Sequence, residues 1–219
     1  MPIDKDEILK RSVDSLQKIY AVVIALAIGQ AIQTLVLDPG THAFTFDPKT
    51  IYHLPAFLAF VVVLVPFYHG MNRHLDSCYI ENVSQAPVGA LLFDFFIFFV
   101  EASLLFAVAP SVRAGLDSFM FLGILLVADI FWALVSHWIH YREISPSILR
   151  WAVINFITIV ASLSVVLRND YEESSKMWLL FLLAVARSVA DYWSCWAFYF
   201  PGSRHASAPA KEVASQTRS

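Results

Sequence analysis

The sequence predicts an all-α integral membrane protein, a bundle of about six transmembrane helices with both termini on the cytoplasmic side. Three observations lead there. The chain is 58% hydrophobic and 15% charged, where soluble domains run to about 45–50% and about 25%. Its apolar residues are gathered into long blocks rather than alternating with polar ones. Its Lys and Arg fall unevenly on the two sides of those blocks.

Six segments approach the roughly 20 apolar residues that cross a bilayer as helix. They are Tyr20–Leu37, Ile51–His69, Pro87–Ala109, Gly115–Trp138, Arg150–Leu167 and Met177–Phe200. Ahead of the first, Asp4 and Glu7 form an Asp variant of the capping box. Ile8, Leu9, Val13, Leu16 and Ile19 follow at near-helical spacing. Residues 1–19 therefore read as a cytoplasmic amphipathic helix, either on the membrane surface or packed on the bundle. Met1 to Lys18 lack the apolar core of a cleaved signal peptide, so the first span is expected to direct insertion. Residues 20–200 form the polytopic domain. Residues 201–219, rich in Ser, Ala, Lys and Arg, read as a disordered cytoplasmic tail. Asp38-Pro39-Gly40 marks a turn, and Pro201-Gly202 ends the last helix.

Orientation follows from the basic residues. Ten flank the spans on the side of the N-terminus and four on the other, which places both ends inside. The Asn82 sequon then faces the cytoplasm and is not a glycosylation site. The membrane expected by default is the plasma (inner) membrane. A net charge of −3 with scattered cations argues against nucleic acid as a partner. Cys78 and Cys195 have no zinc spacing and read as a reduced pair.

Charges inside a bilayer are costly and usually carry function. Here they are Asp94 and Glu101 in the third span, Asp129 in the fourth, and Arg187 and Asp191 in the sixth. Arg187 and Asp191 are four apart and can pair along one helix. Asp94, Asp129 and Asp191 fall at one depth, toward the cytoplasm, with Asn155 of the fifth span beside them. Glu101 lies nearer the outer half. The leading expectation is a small channel or transporter for protons or cations, with these residues as the ion pathway. A structural polar network that pins the helices is the alternative for the same residues.

A second constellation is histidine. His69 and His74 close the second span as His-Gly-Met-Asn-Arg-His, and His137 and His140 close the fourth as His-Trp-Ile-His. Imidazoles at two helix ends can hold a transition metal or haem, which makes a membrane oxidoreductase the second expectation. Gly70 could break the helix and let His69 and His74 converge. The spacings resemble, in type only, the histidine boxes of membrane fatty-acid desaturases, which use a larger set than this chain can supply. The six-span plan with a basic N-terminal helix is similar to that of the lysosomal and bacterial six-helix potassium channels. Their Phe-Ser-Asp signature is absent, and Lys18-Ile19-Tyr20-Ala21 stands in its place. A third expectation is a scaffold or sensor subunit that works through an unidentified protein partner. The bilayer is a partner in all three, and a homo-oligomer is compatible with each. Tyr20, Tyr52, Trp138, Trp151 and Trp178, near span ends, read as interfacial belts.

Overall fold

The structure is a computed structural model and describes residues 5–38, 41, 43–44, 48–81, 88–139 and 147–201. The described residues are helical apart from short turns and one isolated bridge between Leu37 and Phe44. The helices are α1 (Lys5–Val36), α2 (Pro48–Leu75), α3 (Val88–Ser111), α4 (Leu116–Ile139), α5 (Ser147–Val166), α6 (Glu173–Ser194) and the short α7 (Trp196–Tyr199). A π-helical turn, Asp76–Ile80, extends α2, and a 3-10 turn, Val112–Ala114, extends α3. Five helices are long and apolar enough to cross a membrane: Glu7–Val36, Thr50–Ile80, Gly89–Ala114, Leu116–Trp138 and Ile148–Val166. The sixth expected span, on α6, carries Lys176, Arg187 and Asp191 and falls outside that set. The 201–219 tail, the Asp38-Pro39-Gly40 turn beyond Asp38, the Asn82 sequon, His140 and the cap at Asp4 lie outside the described residues, save for Pro201.

The six long helices close into a ring. Going round it, α1 packs on α3, α3 on α4, α4 on α5, α5 on α6, α6 on α2, and α2 back on α1. The amphipathic N-terminal segment runs without a break into the first span, as one helix of 32 residues. Its stripe of Val13, Leu16, Tyr20, Ile24, Ala27, Ala31 and Leu35 is buried throughout, at the steps of three and four that keep one face. Of the residues expected on the apolar face of this segment, Val13 and Leu16 are buried while Ile8 and Ile19 are exposed.

Polarity is inverted relative to a water-soluble bundle. On α6, Arg187, Ser188 and Asp191 are buried while Leu182, Val189 and Trp193 are exposed. On α3, Asp94 and Glu101 are buried while Leu92, Phe96 and Phe99 face outward. On α5, Asn155 is buried and Val153, Phe156, Ile157 and Leu163 are exposed. An apolar exterior this continuous is at home in hydrocarbon, and far exceeds the patches that soluble monomers tolerate.

Backbone groups that irregularities leave open are met by neighbouring helices. Pro66 has no N–H for the Val62 carbonyl one turn earlier, and Ser188 Oγ of α6 donates to that carbonyl at 3.0 Å. Four helix C-termini receive a cation from another segment. Arg113 reaches the Leu35 carbonyl (3.0 Å), Lys176 that of Val166 (3.0 Å), Arg150 that of Ser194 (2.8 Å) and Arg73 that of Phe198 (2.9 Å). Each suits the negative end of a helix dipole.

α2 passes through Gly70 without breaking, so His69 and His74 are not folded toward each other there. The glycine has a different use. A Cβ on it would stand 2.7 and 2.8 Å from the ring of Trp151. Its absence lets an indole lie against the α2 backbone, where Trp151 is buried rather than in an interfacial belt. Tyr20 is buried too, whereas Trp138 and Trp178 stay exposed.

Candidate functional site

Two polar clusters occupy the interior of the ring. In the first, Asp94 of α3 is fully buried and accepts from four side chains. Tyr79 Oη lies 2.6 Å and His74 Nε2 2.8 Å from its Oδ2; Trp132 Nε1 lies 2.9 Å and Ser136 Oγ 3.3 Å from its Oδ1. Three segments besides α3 converge here: α2, the π turn and α4. The π turn widens the ladder, with the Glu81 N–H bonded to the Asp76 carbonyl at 2.9 Å. It presents Cys78 and Tyr79 together on the inner side, both buried. Cys78 Sγ stands 3.6 Å from the other ring nitrogen of His74. Every acceptor site on Asp94 is used, so the cluster is closed.

The second cluster lies between α2, α3, α4, α5 and α6. Asp191 accepts from the Trp151 indole N–H on Oδ1 and from Tyr199 Oη on Oδ2 at 3.0 Å. Arg187 Nη1 lies 3.6 Å from the same Oδ2, so the four-residue spacing does form an ion pair along α6. Arg187 Nε donates to Asn155 Oδ1 at 2.9 Å, and Asn155 Nδ2 donates in turn to Asp129 Oδ2. The guanidinium also stacks over Phe67, 5.1 Å from the ring centre. Asn155 is thus the coupler between the cation of α6 and the acid of α4.

A cavity of about 20 Å³ opens among these groups, with Glu101, Asp129, Arg187, Asp191, Trp132 and Trp151 on its wall. That is room for about one water molecule. Among the described residues, two buried polar atoms on its lining residues have no hydrogen-bond partner, Oε1 of Glu101 and Nη1 of Arg187. Such atoms are rare inside proteins and usually mark function or bound solvent.

The sequence-derived acids therefore divide between the two clusters. Glu101, placed nearer the outer half by spacing alone, lines the cavity with Asp129 and Asp191. Asp94, expected in one layer with those two, belongs to the separate closed cluster. The histidines are also dispersed. His69 Nδ1 sits 3.2 Å from Tyr192 Oη, with its ring 4.7 Å from that of Tyr199. His74 faces Asp94, and His137 on α4 leaves a buried Nδ1 without a hydrogen bond. Among the described residues no three His, Cys, Asp or Glu side chains form a metal-binding group. Cys78, His74 and Asp94 lie in a line with the imidazole between them, which is not a convergent ligand set.

Sequence reasoning missed the partners of the acids: Tyr79, Trp132, Trp151 and Tyr199. A signal for them existed. An indole N–H or phenol O–H in an apolar span must find an acceptor, and buried carboxylates are the strongest acceptors available. Neither Cys78 nor Cys195 forms a disulfide.

Comparison with family models, with curated proteins and with solved structures finds no match for this chain.

Proposed function

We propose that the chain is a membrane translocator of protons or small cations, and that Glu101, Asp129, Asp191 and Arg187 form its central site. One observation carries this reading: the cavity collects three carboxyl groups around a single guanidinium, and one buried oxygen of Glu101, which lines it, has no hydrogen-bond partner among the described residues. With all three acids ionised, two negative charges stand uncompensated inside the ring. Protons, or a cation, supply the balance. A purely structural network has no reason to retain the excess, because replacing surplus buried charge by apolar residues is commonly neutral or stabilising.

The size of the cavity favours stepwise transfer. A space for about one water suits proton transfer between carboxylates, or a bare ion ligated by them, better than an open aqueous pore. Asn155 relays the state of Asp129 to Arg187 through two hydrogen bonds. Arg187 then couples both to Asp191. Asp94 lies one cluster away, where it holds helices together.

In this reading α6 is the sixth span. Its charged residues point inward and its exposed face is Leu, Val and Trp. The bundle spans the plasma (inner) membrane with both termini inside, as the excess of Lys and Arg on that side favours. Its partner is the lipid bilayer, and the exposed apolar faces leave room for association with further copies.

The test is flux in reconstituted vesicles carrying a pH-sensitive dye, under an imposed potential. Wild-type protein is expected to carry protons, or a cation exchanged for them. Glu101→Gln and Asp129→Asn are expected to lower the rate by at least about ten-fold, the low end for losing a positioned proton carrier. Protein that folds and reconstitutes but carries nothing, or variants that carry as much as wild type, would overturn the reading.

A further inference from the structure

Among the described residues, the two unpartnered buried atoms on the central cavity are complementary. Arg187 Nη1 can only donate a hydrogen bond, and Oε1 of an ionised Glu101 can only accept one. The cavity that both residues line, about 20 Å³, is the size of one water. On the reading of this cavity as the transport site, we propose that its substrate is the proton and no metal ion. A single water, held between Arg187 Nη1 and Glu101 Oε1, is the carrier, and Arg187 sets the selectivity.

The wall has few oxygens to offer a metal ion. Both oxygens of Asp191 are committed, Oδ1 to the Trp151 indole and Oδ2 to Tyr199 Oη. Asn155 engages Oδ2 of Asp129. Hard cations such as magnesium and calcium take about six to eight oxygen ligands. An ion stripped of water must find its shell on the protein, and a hydrated one does not fit in a space for about one water. In keeping with this, no three His, Cys, Asp or Glu side chains among the described residues form a metal-binding group.

Arg187 adds a fixed charge. Its guanidinium stays protonated in proteins and has no lone pair to give a metal. It is held in place: Nε donates to Asn155 Oδ1 at 2.9 Å, and the plane lies over Phe67, 5.1 Å from the ring centre. Nη1 stands 3.6 Å from Asp191 Oδ2, beyond hydrogen-bond length, so that nitrogen has a donor to spare. A metal ion in so small a cavity would lie against this cation away from bulk solvent, where like charges repel strongly. A water instead accepts from Nη1 and donates to Glu101.

The transfer conserves every atom. With Glu101 protonated, the water accepts from Nη1 and from Glu101, and donates to Asp129. The O–H bond of Glu101 breaks as a new one forms on the water, and another O–H bond of the water breaks as one forms on Asp129. Glu101 is left a carboxylate, Asp129 a carboxylic acid, and the water is restored. Asp129 is the acceptor because both oxygens of Asp191 are taken.

The experiment uses the full chain in vesicles. An internal dye reads proton flux under a potential set by potassium and valinomycin, and tracer sodium and rubidium uptake is read in parallel vesicles without valinomycin. Proton flux is expected to be unchanged when sodium is replaced by N-methylglucamine, with no tracer uptake above that of empty vesicles. Glu101→Gln should lower proton flux at least about ten-fold. Arg187→Gln, which removes the positive charge, should admit tracer sodium, whereas Arg187→Lys, which keeps it, should not. Infrared difference spectra should show a water O–H band that shifts in heavy-oxygen water and is displaced in Glu101→Gln and Arg187→Lys. Tracer uptake by the wild type that Glu101→Gln lowers, or proton flux that stops without sodium, would overturn this inference and leave the transport reading standing. Absence of any flux in folded protein would overturn both. Proton flux with no such water band would overturn the water as carrier. If Arg187→Gln does not fold, the wild-type tracer measurement and the water band in Arg187→Lys decide it.

Discussion

The two buried clusters use the same ingredients in opposite ways. Around Asp94, one carboxylate receives four donors, two on each oxygen. Around Glu101, Asp129 and Asp191, three carboxyl groups share one guanidinium, and a cavity remains. Both lie inside a ring whose outer surface is apolar. The contrast teaches that a buried acid is not in itself a sign of transport. On the proposed reading, what distinguishes a group that holds helices together from one that can exchange a proton or ion is whether its neighbours have exhausted its hydrogen-bonding capacity.

The largest expected effect tests the closed cluster. Asp94→Ala leaves His74, Tyr79 and Trp132 without their acceptor and should cost about 3–5 kcal/mol, the usual penalty for breaking a buried charged pair from one side. Thermal unfolding in detergent checks this. A loss under about 1 kcal/mol would mean the cluster is not the clamp it is drawn to be. Next comes Gly70→Ala. Its methyl group meets the Trp151 ring, so the indole must shift off Asp191 at an expected cost of about 1–3 kcal/mol. Indole fluorescence and the same melt measure the displacement. Glu101→Gln sharpens the contrast from the open side. Stability should change by less than about 1 kcal/mol, since a neutral isostere relieves surplus buried charge, while flux falls.

The smallest effect lies at the edge of the bundle. Arg73 binds both oxygens of Glu81 at 2.5 and 2.9 Å, and this hydrogen-bonded pairing holds the Glu81 carboxyl below its ordinary range. A carboxyl depressed in the folded state adds stability that is fully present above its unfolded pKa. That stability is lost as pH falls through the depressed folded value. Glu81 is about half exposed, so the contribution is at most about 1 kcal/mol and weakens with salt. Melting as a function of pH from 7 down to about 3, with Glu81→Gln as reference, should show a small acid-side loss only in the parent.

Much of the architecture could be read from hydropathy alone, because apolar blocks of bilayer length leave few alternatives. The helix positions follow from it, and so does the inward direction of Asp94, Asp129, Arg187 and Asp191. Neighbour relations do not. Nothing local says that α1 packs on α3 more extensively than on α2. Nor does spacing along α3 say that Glu101 shares a cavity wall with Asp129 and Asp191. Gly70 reads as a breaker in a sequence, and only the approach of Trp151 from α5 reveals why a side chain is excluded there. The four-residue interval from His74 to Cys78 was visible, yet the π turn that brings Tyr79 in beside them has no local signature.

The position of Arg187 on the last long helix has a consequence for biogenesis. Chains enter the bilayer in the order of synthesis, so α3, α4 and α5 bring Glu101, Asp129 and Asn155 into place before their cation has left the ribosome. Until α6 arrives, those groups can only be neutral, hydrated or turned toward one another. α6 in turn carries an arginine that hydrocarbon alone would reject. On the proposed reading of α6 as a sixth span, its insertion is a docking event, in which the acids of the earlier helices receive the helix that packs between α5 and α2.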